Sequence, residues 1–489
     1  MIAAALCLAA AAYSASPEQP LQLHPRNPHY FLFRGKPAVL ITSGEHYGAV
    51  INRPFQYTVY LDELAARHLN LTRTWAGAYR EVAGDFNIPH NTLAPLPQDF
   101  VCPWPRSTTP GANDGQPKFD LSRWNDAYFS RLHDFMREAS KRGIVVELNL
   151  FCPFYEDSMW KVSPMNAANN VNGVGRIPKD EAYTLKHPDL LARQDALVRK
   201  MVAELKPYDN LYYEICNEPY FGGVAWEWQK HIAGVIADAD RSFPARHLIS
   251  RNVQNGSTKV DEPLDLISLY NWHYSRPPES VAMNYPLNRA LGNNETGFDG
   301  TADSTYRIQG WDYLIAGGAL YNNLDYSFVV GHEKGDFTVP PTAPGGGSPA
   351  LRAQLGYLHD FLNGLDFLAM SPHGEVLKGG VPAGASARVL AQPGDQYALY
   401  LHHGRVVKDA KPRYQVDAGP HHATLWLDLP AGRYSVSWLD PRTGKIAKGE
   451  RLNHKGGVAK LPTPEYREDL ALKLTTARSS PATSAPRVP

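Results

Sequence analysis

Two hydrophobic periods alternate along the first three quarters of the chain. Apolar positions three and four apart mark helices at Tyr57, Tyr60, Leu61, Leu64 and His68, at Tyr128, Leu132, Phe135 and Ala139, and at Leu190, Leu197, Met201 and Leu205. The same spacing recurs at Trp228, Ile232, Val235 and Ile236, at Trp311, Leu314 and Ile315, and through 351–362. Between these stripes lie short β-favouring runs at 38–42, 70–75, 144–150, 211–216, 247–250, 264–270, 289–293 and 319–324. Eight strands alternating with helices over roughly 330 residues predict an α/β fold, a (β/α)8 TIM barrel spanning 22–370. A doubly wound open sheet competes, but it wants a Gly-rich first turn of the GxGxxG kind, which the chain lacks.

The ends of the chain read differently. HPRNPHYFLFRGKPAVLIT, 24–42, is expected to form a small hairpin plugging the barrel floor. Long polar loops rich in Pro and Gly fall at 84–115 and 332–349. Beyond the barrel the period drops to two: Leu425, Leu427 and Leu429 alternate with Thr424, Trp426 and Asp428, and Tyr434, Val436 and Trp438 alternate likewise. Turn wording at Pro430-Ala431-Gly432 and Pro441-Arg442-Thr443-Gly444 completes a small antiparallel β-sandwich at 374–475. It shows no obvious aromatic binding strip, so a structural or weakly carbohydrate-binding role is expected, without influence on specificity. The polar, Pro-rich tail at 476–489 predicts disorder.

Composition narrows the function classes. Lys plus Arg equals Asp plus Glu, 49 each, so no global field argues for nucleic acid or an anionic membrane. The 26 Tyr and 10 Trp suit sugar stacking, although most belong in a large core. MIAAALCLAAAAYSASPEQP opens the chain as a secretory signal, 1–15, which implies a secreted or periplasmic protein without a membrane span. Export would leave Cys102, Cys152 and Cys216. Buried thiols are the default, with Cys102–Cys152 the one pairing considered. No CxxC or HExxH pattern offers a metal site, and no cofactor is expected.

The candidate chemistry lies at two strand ends. The fourth strand stops at Asn217-Glu218-Pro219, because Pro219 cannot donate to a ladder. The seventh runs into Asn294-Glu295-Thr296-Gly297. In a closed barrel both carboxylates would face one mouth, the minimum for glycoside hydrolysis by acid–base and nucleophilic catalysis. Here the chain resembles the cellulase-like clan A of retaining glycoside hydrolases over roughly 22–370. The resemblance implies Glu218 as acid/base with Asn217 beside it, Glu295 as nucleophile, Arg73 steadying the nucleophile and His273 contacting it. It also implies an oligo- or polysaccharide substrate. The strand-eight tryptophan of cellulases has no match; Asn322, Asn323, Asp325 and Tyr326 stand there instead.

Position alone adds Glu45, His46 and Tyr47 after the first strand and Asn149 after the third as subsite residues, with Trp75 and Trp160 as stacking candidates. Each has a plainer reading. Glu218 could cap a turn, Arg73 could bridge a strand end, and His273 could be a packed core histidine. Asn166, Asn169, Asn170 and Asn172 read as turn chemistry, and His402, His403, His421 and His422 as surface. Repulsion from Glu295 is expected to raise the Glu218 pKa, with the two carboxyls about 5–5.5 Å apart. A non-catalytic glycan-binding barrel, as an adhesin or sensor, is the alternative, and a metal-dependent barrel hydrolase a third. Oligomeric state is not legible.

Overall fold

The computed structural model describes residues 19–241 and 246–476. The signal segment at 1–15 and the tail from 477 lie outside the described residues. A three-stranded antiparallel sheet comes first, β1 (Gln22–His24), β2 (Asn27–Phe33) and β3 (Lys36–Ala38). Arg34 of this sheet pairs with Asp209 at 2.5 Å and donates to Ser140 O at 2.9 Å, and Leu21 N–H reaches Asp209 O. Asp209 lies two residues before the barrel strand that starts at Leu211, so the sheet covers the N-terminal ends, the floor.

The barrel strands are β4 (Leu40–Gly44), β5 (Leu71–Trp75), β6 (Val145–Asn149), β7 (Leu211–Glu214), β8 (Leu248–Asn255), β9 (Leu269–His273), β10 (Ala290–Glu295) and β11 (Leu320–Leu324). They pair in parallel from β5 round to β11, with β4 beside β11. Asn70 stitches the remaining seam. Its backbone N–H donates to Ile41 O, its side-chain oxygen accepts from Ile41 N at 2.9 Å, and its amide donates to Val39 O at 2.8 Å. One amide side chain thus supplies the donor and acceptor that a ninth strand would offer.

Helices α1 (Tyr57–Ala66), α2 (Asp126–Lys141), α3 (Asp157–Val162), α4 (Pro188–Leu205), α5 (Trp226–Ala239), α6 (Glu279–Asn284), α7 (Asp303–Ile315) and α8 (Pro349–Asn363) follow the strands. Local chemistry sets their ends. Asn125 caps α2, and Ser348 caps α8 by accepting from Leu351 N at 3.0 Å, with Pro349 in the first turn. The strands are the expected ones, with one clear displacement. The sixth, expected at 264–270, runs Leu269–His273; Leu264 and Ile267 belong to a turn closed by Ile267 N–H to Leu264 O at 3.0 Å. Its apolar run is a strand signal by composition, and only the turn hydrogen bond reveals otherwise. No helix among the described residues is long and apolar enough to cross a membrane.

Eleven further strands follow among the described residues: β12 (Ser371–Pro372), β13 (Leu377–Gly379), β14 (Ser386–Gln392), β15 (Gln396–His402), β16 (Gly404–Val406), β17 (Tyr414–Val416), β18 (Thr424–Leu429), β19 (Gly432–Asp440), β20 (Lys445–His454), β21 (Gly457–Pro462) and β22 (Asp469–Thr476). A six-stranded sheet, β12-β14-β15-β22-β19-β20, packs on a three-stranded one, β13-β18-β21, while β16 and β17 form a separate hairpin. Leu425, Leu427, Val436, Trp438 and Leu472 fill the space between the two sheets. The larger sheet is covered on its other side too: Leu390, Ala398, Tyr400 and Ala471 belong to the barrel's own core.

Cys102, Cys152 and Cys216 are buried free thiols, the default expected of them, and the one pairing considered, Cys102–Cys152, does not form; the Cys102 thiol donates to Trp104 O at 3.4 Å. One expectation about side chains needs correction. His402 and His403 are buried, not surface residues, because β15 lies between the sheets and the barrel. Ion pairs lock that contact. Arg307 of α7, itself buried, reaches Asp469 at 2.9 Å and Glu468 at 2.6 Å, and Tyr400 donates to Asp469 at 2.6 Å. Arg307→Ala would strand a buried carboxylate, so unfolding free energy is expected to fall by about 3–5 kcal/mol. Urea denaturation followed by near-ultraviolet dichroism checks this; a loss below about 1 kcal/mol, the scale of a surface pair, would deny the contact its role.

Candidate active site

Inside the barrel the two-residue pleat aims alternate side chains inward, and at one level these are charged. Arg73 of β5, Glu147 of β6 and Glu214 of β7 meet there, all buried. Arg73 Nε donates to Glu147 at 2.5 Å, one terminal nitrogen donates to Glu214 and, at 2.8 Å, to Asn217, and the other to Glu295 at 3.0 Å. Asn149, Asn271 and Asn294 donate to Glu214 at 2.9, 2.8 and 2.9 Å, and the Tyr212 hydroxyl to Glu147. Burial pushes Glu147 up to about 7 against the pull of Arg73, with the Glu214 charge adding to the rise.

Above this layer the backbone leaves regular geometry. Against β9 the register of β10 jumps between Asn293 and Glu295, a bulge. The extra residue lets Asn294 face the buried network while its neighbour Glu295 faces the mouth. Tyr47, Glu218 and Tyr274, just beyond β4, β7 and β9, adopt left-handed φ of 66°, 37° and 52°. These turns bring the functional groups together. The Glu295 carboxylate accepts from Tyr274 at 2.6 Å, Arg73 at 3.0 Å and Tyr47 at 3.2 Å. Glu218 accepts from Tyr155 at 2.6 Å and Tyr220 at 3.2 Å. His273 Nδ1 sits between, 3.1 Å from Glu218 and 3.4 Å from Glu295. A carboxylate oxygen of Glu218 and one of Glu295 lie within 4.8 Å of each other.

The electrostatics depart from expectation at Glu218. Burial pushes its carboxyl up, but the hydrogen bond and charge of His273, with the Tyr155 and Tyr220 hydroxyls, outweigh burial and leave it below the ordinary value. Repulsion between the two glutamates was expected to dominate, and the interposed imidazole reverses it. For His273, burial acts downward and the Glu295 and Glu218 charges prevail, so its pKa is raised. The same three residues have a metal-type donor set. Arg73, 3.0 Å from Glu295, already supplies the cation that such a set would attract.

These groups floor a cavity of about 560 Å³. Asn217, Glu218, Glu295, Trp75 and His46 line it, His46 pairing with Glu81 at 3.2 Å. Other sequence-predicted residues do not. Arg73 and His273 lie beneath the wall, and Tyr326 backs it as a ring neighbour of His46 and Phe298. Glu45 points away and accepts from Gly48 N, Ala49 N and Thr92, bracing the turn that carries Tyr47. Asn149 is committed to Glu214, and Asp325 to Arg352 at 2.8 Å and Ser43 at 2.9 Å. Trp160 packs on Phe154 with its indole N–H on Ile177 O. Asn169 and Asn170 hold the loop backbone, as turn residues do.

Several wall residues were missed from sequence. Phe86, Phe221 and Phe298 remain 37%, 44% and 38% exposed around the mouth, in ring contact with one another or with Tyr155 and Tyr274. They form an apolar rim on the cavity. Val406 and Arg413 of the β16–β17 hairpin also line the cavity, so the C-terminal sheets are not remote from it.

Glu45 yields a pH prediction. Burial raises its carboxyl from 4.5 to about 6, against the hydrogen bonds from Thr92, Ala49 and Gly48. Between those values the unfolded chain ionises while the folded one keeps its proton. The group's contribution to stability therefore falls as pH rises across that window, by about 2 kcal/mol. Carbon-detected NMR titration is expected to place the Glu45 midpoint near 6; a midpoint at or below the ordinary glutamate value would refute it.

No protein-family model matches the sequence, and no curated protein matches it. Solved structures do. A Bacteroides vulgatus protein, named provisionally as a glycoside hydrolase, superposes with a TM-score of 0.64 at 13% identity, over 94% of this chain and 83% of that one. A structure named simply as a glycoside hydrolase gives 0.60 at 13% identity, over 94% and 98%. A family 5 glycoside hydrolase from Bacteroides vulgatus gives 0.60 at 12% identity, over 96% of both chains. At such identity the likeness is one of fold. The chain has the fold of these glycoside hydrolases, an eight-stranded parallel barrel followed by antiparallel sheets.

Proposed function

We propose that the chain is an exported retaining glycoside hydrolase acting on a β-linked oligo- or polysaccharide. The observation that carries this reading is the approach of the Glu218 and Glu295 carboxylates to within 4.8 Å around His273, at the floor of an aromatic-walled cavity. Inverting enzymes hold their carboxyls about 6.5–9.5 Å apart to admit a water, whereas a retaining pair is close enough for one carboxylate to attack directly. The shared fold supports a carbohydrate substrate, and the apolar N-terminal run supports export.

In this reading Glu295 attacks the anomeric carbon as the bond to the leaving oxygen breaks, and Glu218 gives that oxygen its proton. Water then attacks the glycosyl-enzyme, returning a proton to Glu218 and freeing Glu295. Tyr274, Tyr47 and Arg73 aim the nucleophile. Glu218 is only 8% exposed. A sugar ring covering it adds to the burial that favours the protonated acid, against the His273, Tyr155 and Tyr220 donors that lower it. The alternative, a glycan binder without catalysis, has no use for two carboxylates held so close.

Proton NMR of the first-formed anomer is the direct test: a β-glycoside should release the β-anomer, and α-anomer first would mean inversion. Glu295→Ala should abolish turnover, while Glu218→Ala should keep the first step on aryl glycosides with good leaving groups and yield a β-glycosyl azide when azide is added. Arg73→Lys is expected to lower kcat by about 100-fold or more, since a point charge cannot reproduce a fork serving four acceptors. Near-normal kcat in that variant would leave Arg73 a purely structural part.

A further inference from the structure

We propose that the β16–β17 hairpin builds an outer subsite for a glycan bearing an anionic substituent, a carboxylate or a sulfate ester, with Arg413 as its anchor. The proposal rests on reading the barrel cavity as a glycosidase site, and it assigns the C-terminal region a share in choosing the substrate.

Arg413 and Val406 stand in the cavity wall with Arg276 and Phe298. The hairpin is held there firmly. Gly404 pairs with Val416 and Val406 with Tyr414, and Asp417 N–H closes its base on His403 O at 3.1 Å. Tyr414 is buried in the barrel's core. At the other end Pro412 lies so close to Gly300, in the loop after β10, that a Cβ there would come within 2.9 Å of the proline ring. A flexible surface loop would not be pinned at both ends.

In a chain with no net charge, residues 404–416 carry Arg405, Lys408, Lys411 and Arg413 against the single carboxylate of Asp409. All four cations are exposed, and no ion pair engages any of them among the described residues. The neighbouring arginine shows the contrast, for Arg276 is held by Asp299 at 2.7 Å. Nor do the cavity's own acids satisfy Arg413: Glu81 is paired with His46, and Glu218 and Glu295 face the donors described above. An exposed guanidinium keeps water as its partner when it points at bulk solvent. This one borders the substrate cavity, where a planar anion on the glycan can accept two parallel hydrogen bonds and displace that water.

The test separates binding from turnover. Full-length Glu218→Gln protein is immobilised and challenged with a mixed fragment pool from neutral, uronate-bearing and sulfated polysaccharides. The pool is used untreated, after carboxyl reduction and after desulfation. Acidic fragments should be retained in preference to neutral ones. Loss of retention on carboxyl reduction identifies a carboxylate, and loss on desulfation a sulfate ester. Adding Arg413→Gln should weaken retained acidic fragments about tenfold or more by calorimetry, with the wild-type advantage shrinking as salt rises. Retention of neutral fragments only, of none, or of acidic fragments equally well after both treatments or without Arg413 would overturn the subsite. Wild-type hydrolysis of the same pool is scored apart: absent turnover with intact acid-dependent retention would sink the glycosidase reading and leave the subsite standing.

Discussion

Everything at the mouth of this barrel depends on one guanidinium below it. Arg73 faces three carboxylates, Glu147, Glu214 and Glu295, inside a closed ring of strands. A buried cation is tolerable only when its donors are satisfied, and buried carboxylates only when a cation or several N–H groups attend them. The two conditions are met together, because a planar fork can serve acceptors in three directions from one point. The asparagines of β6, β9 and β10 take up the carboxylate lone pairs that remain. The position of Glu295 is thus set by a network whose other carboxylates, Glu147 and Glu214, do not line the cavity.

That dependence explains what was readable in advance. Glu218 and Glu295 were legible because strand ends followed by Pro or Gly place a carboxylate at a barrel mouth whatever the loops do. Arg73 was legible only through the family resemblance. Glu147 in VVELN and Glu214 in LYYE are charges within β-favouring runs, and attention to strand ends alone passed over them. Glu45, Asn149 and Asp325 show the limit of counting by strand end. One residue along a strand turns a side chain to the opposite face, and only the bulge, the turn and the partner decide which. Tyr155 and Arg413 were out of reach, since a loop and a separate hairpin bring them in from elsewhere in the chain, whereas Tyr220 and Phe298 follow the two glutamates within a few residues and were passed over.

The barrel and the C-terminal sheets also proved less separable than the change in sequence period suggested. Hydrophobic alternation reports which face of a strand is buried, not what buries it. The six-stranded sheet has two covered faces, one against its companion sheet and one against α7, and the Arg307–Asp469 pair lies in that second contact. The His402–His403 pair read as surface for this reason: a polar residue in an alternating strand looks outward until another domain is laid over it.

The left-handed turns at Tyr47, Glu218 and Tyr274 carry a consequence for how such a chain changes over generations. A non-glycine residue held there costs about 1–3 kcal/mol. Glycine at any of the three would relax the backbone while removing a hydroxyl or carboxylate from the site. Drift toward a more stable molecule and retention of the cavity's chemistry therefore pull in opposite directions at the same three positions. A descendant freed from its substrate should lose its site there first.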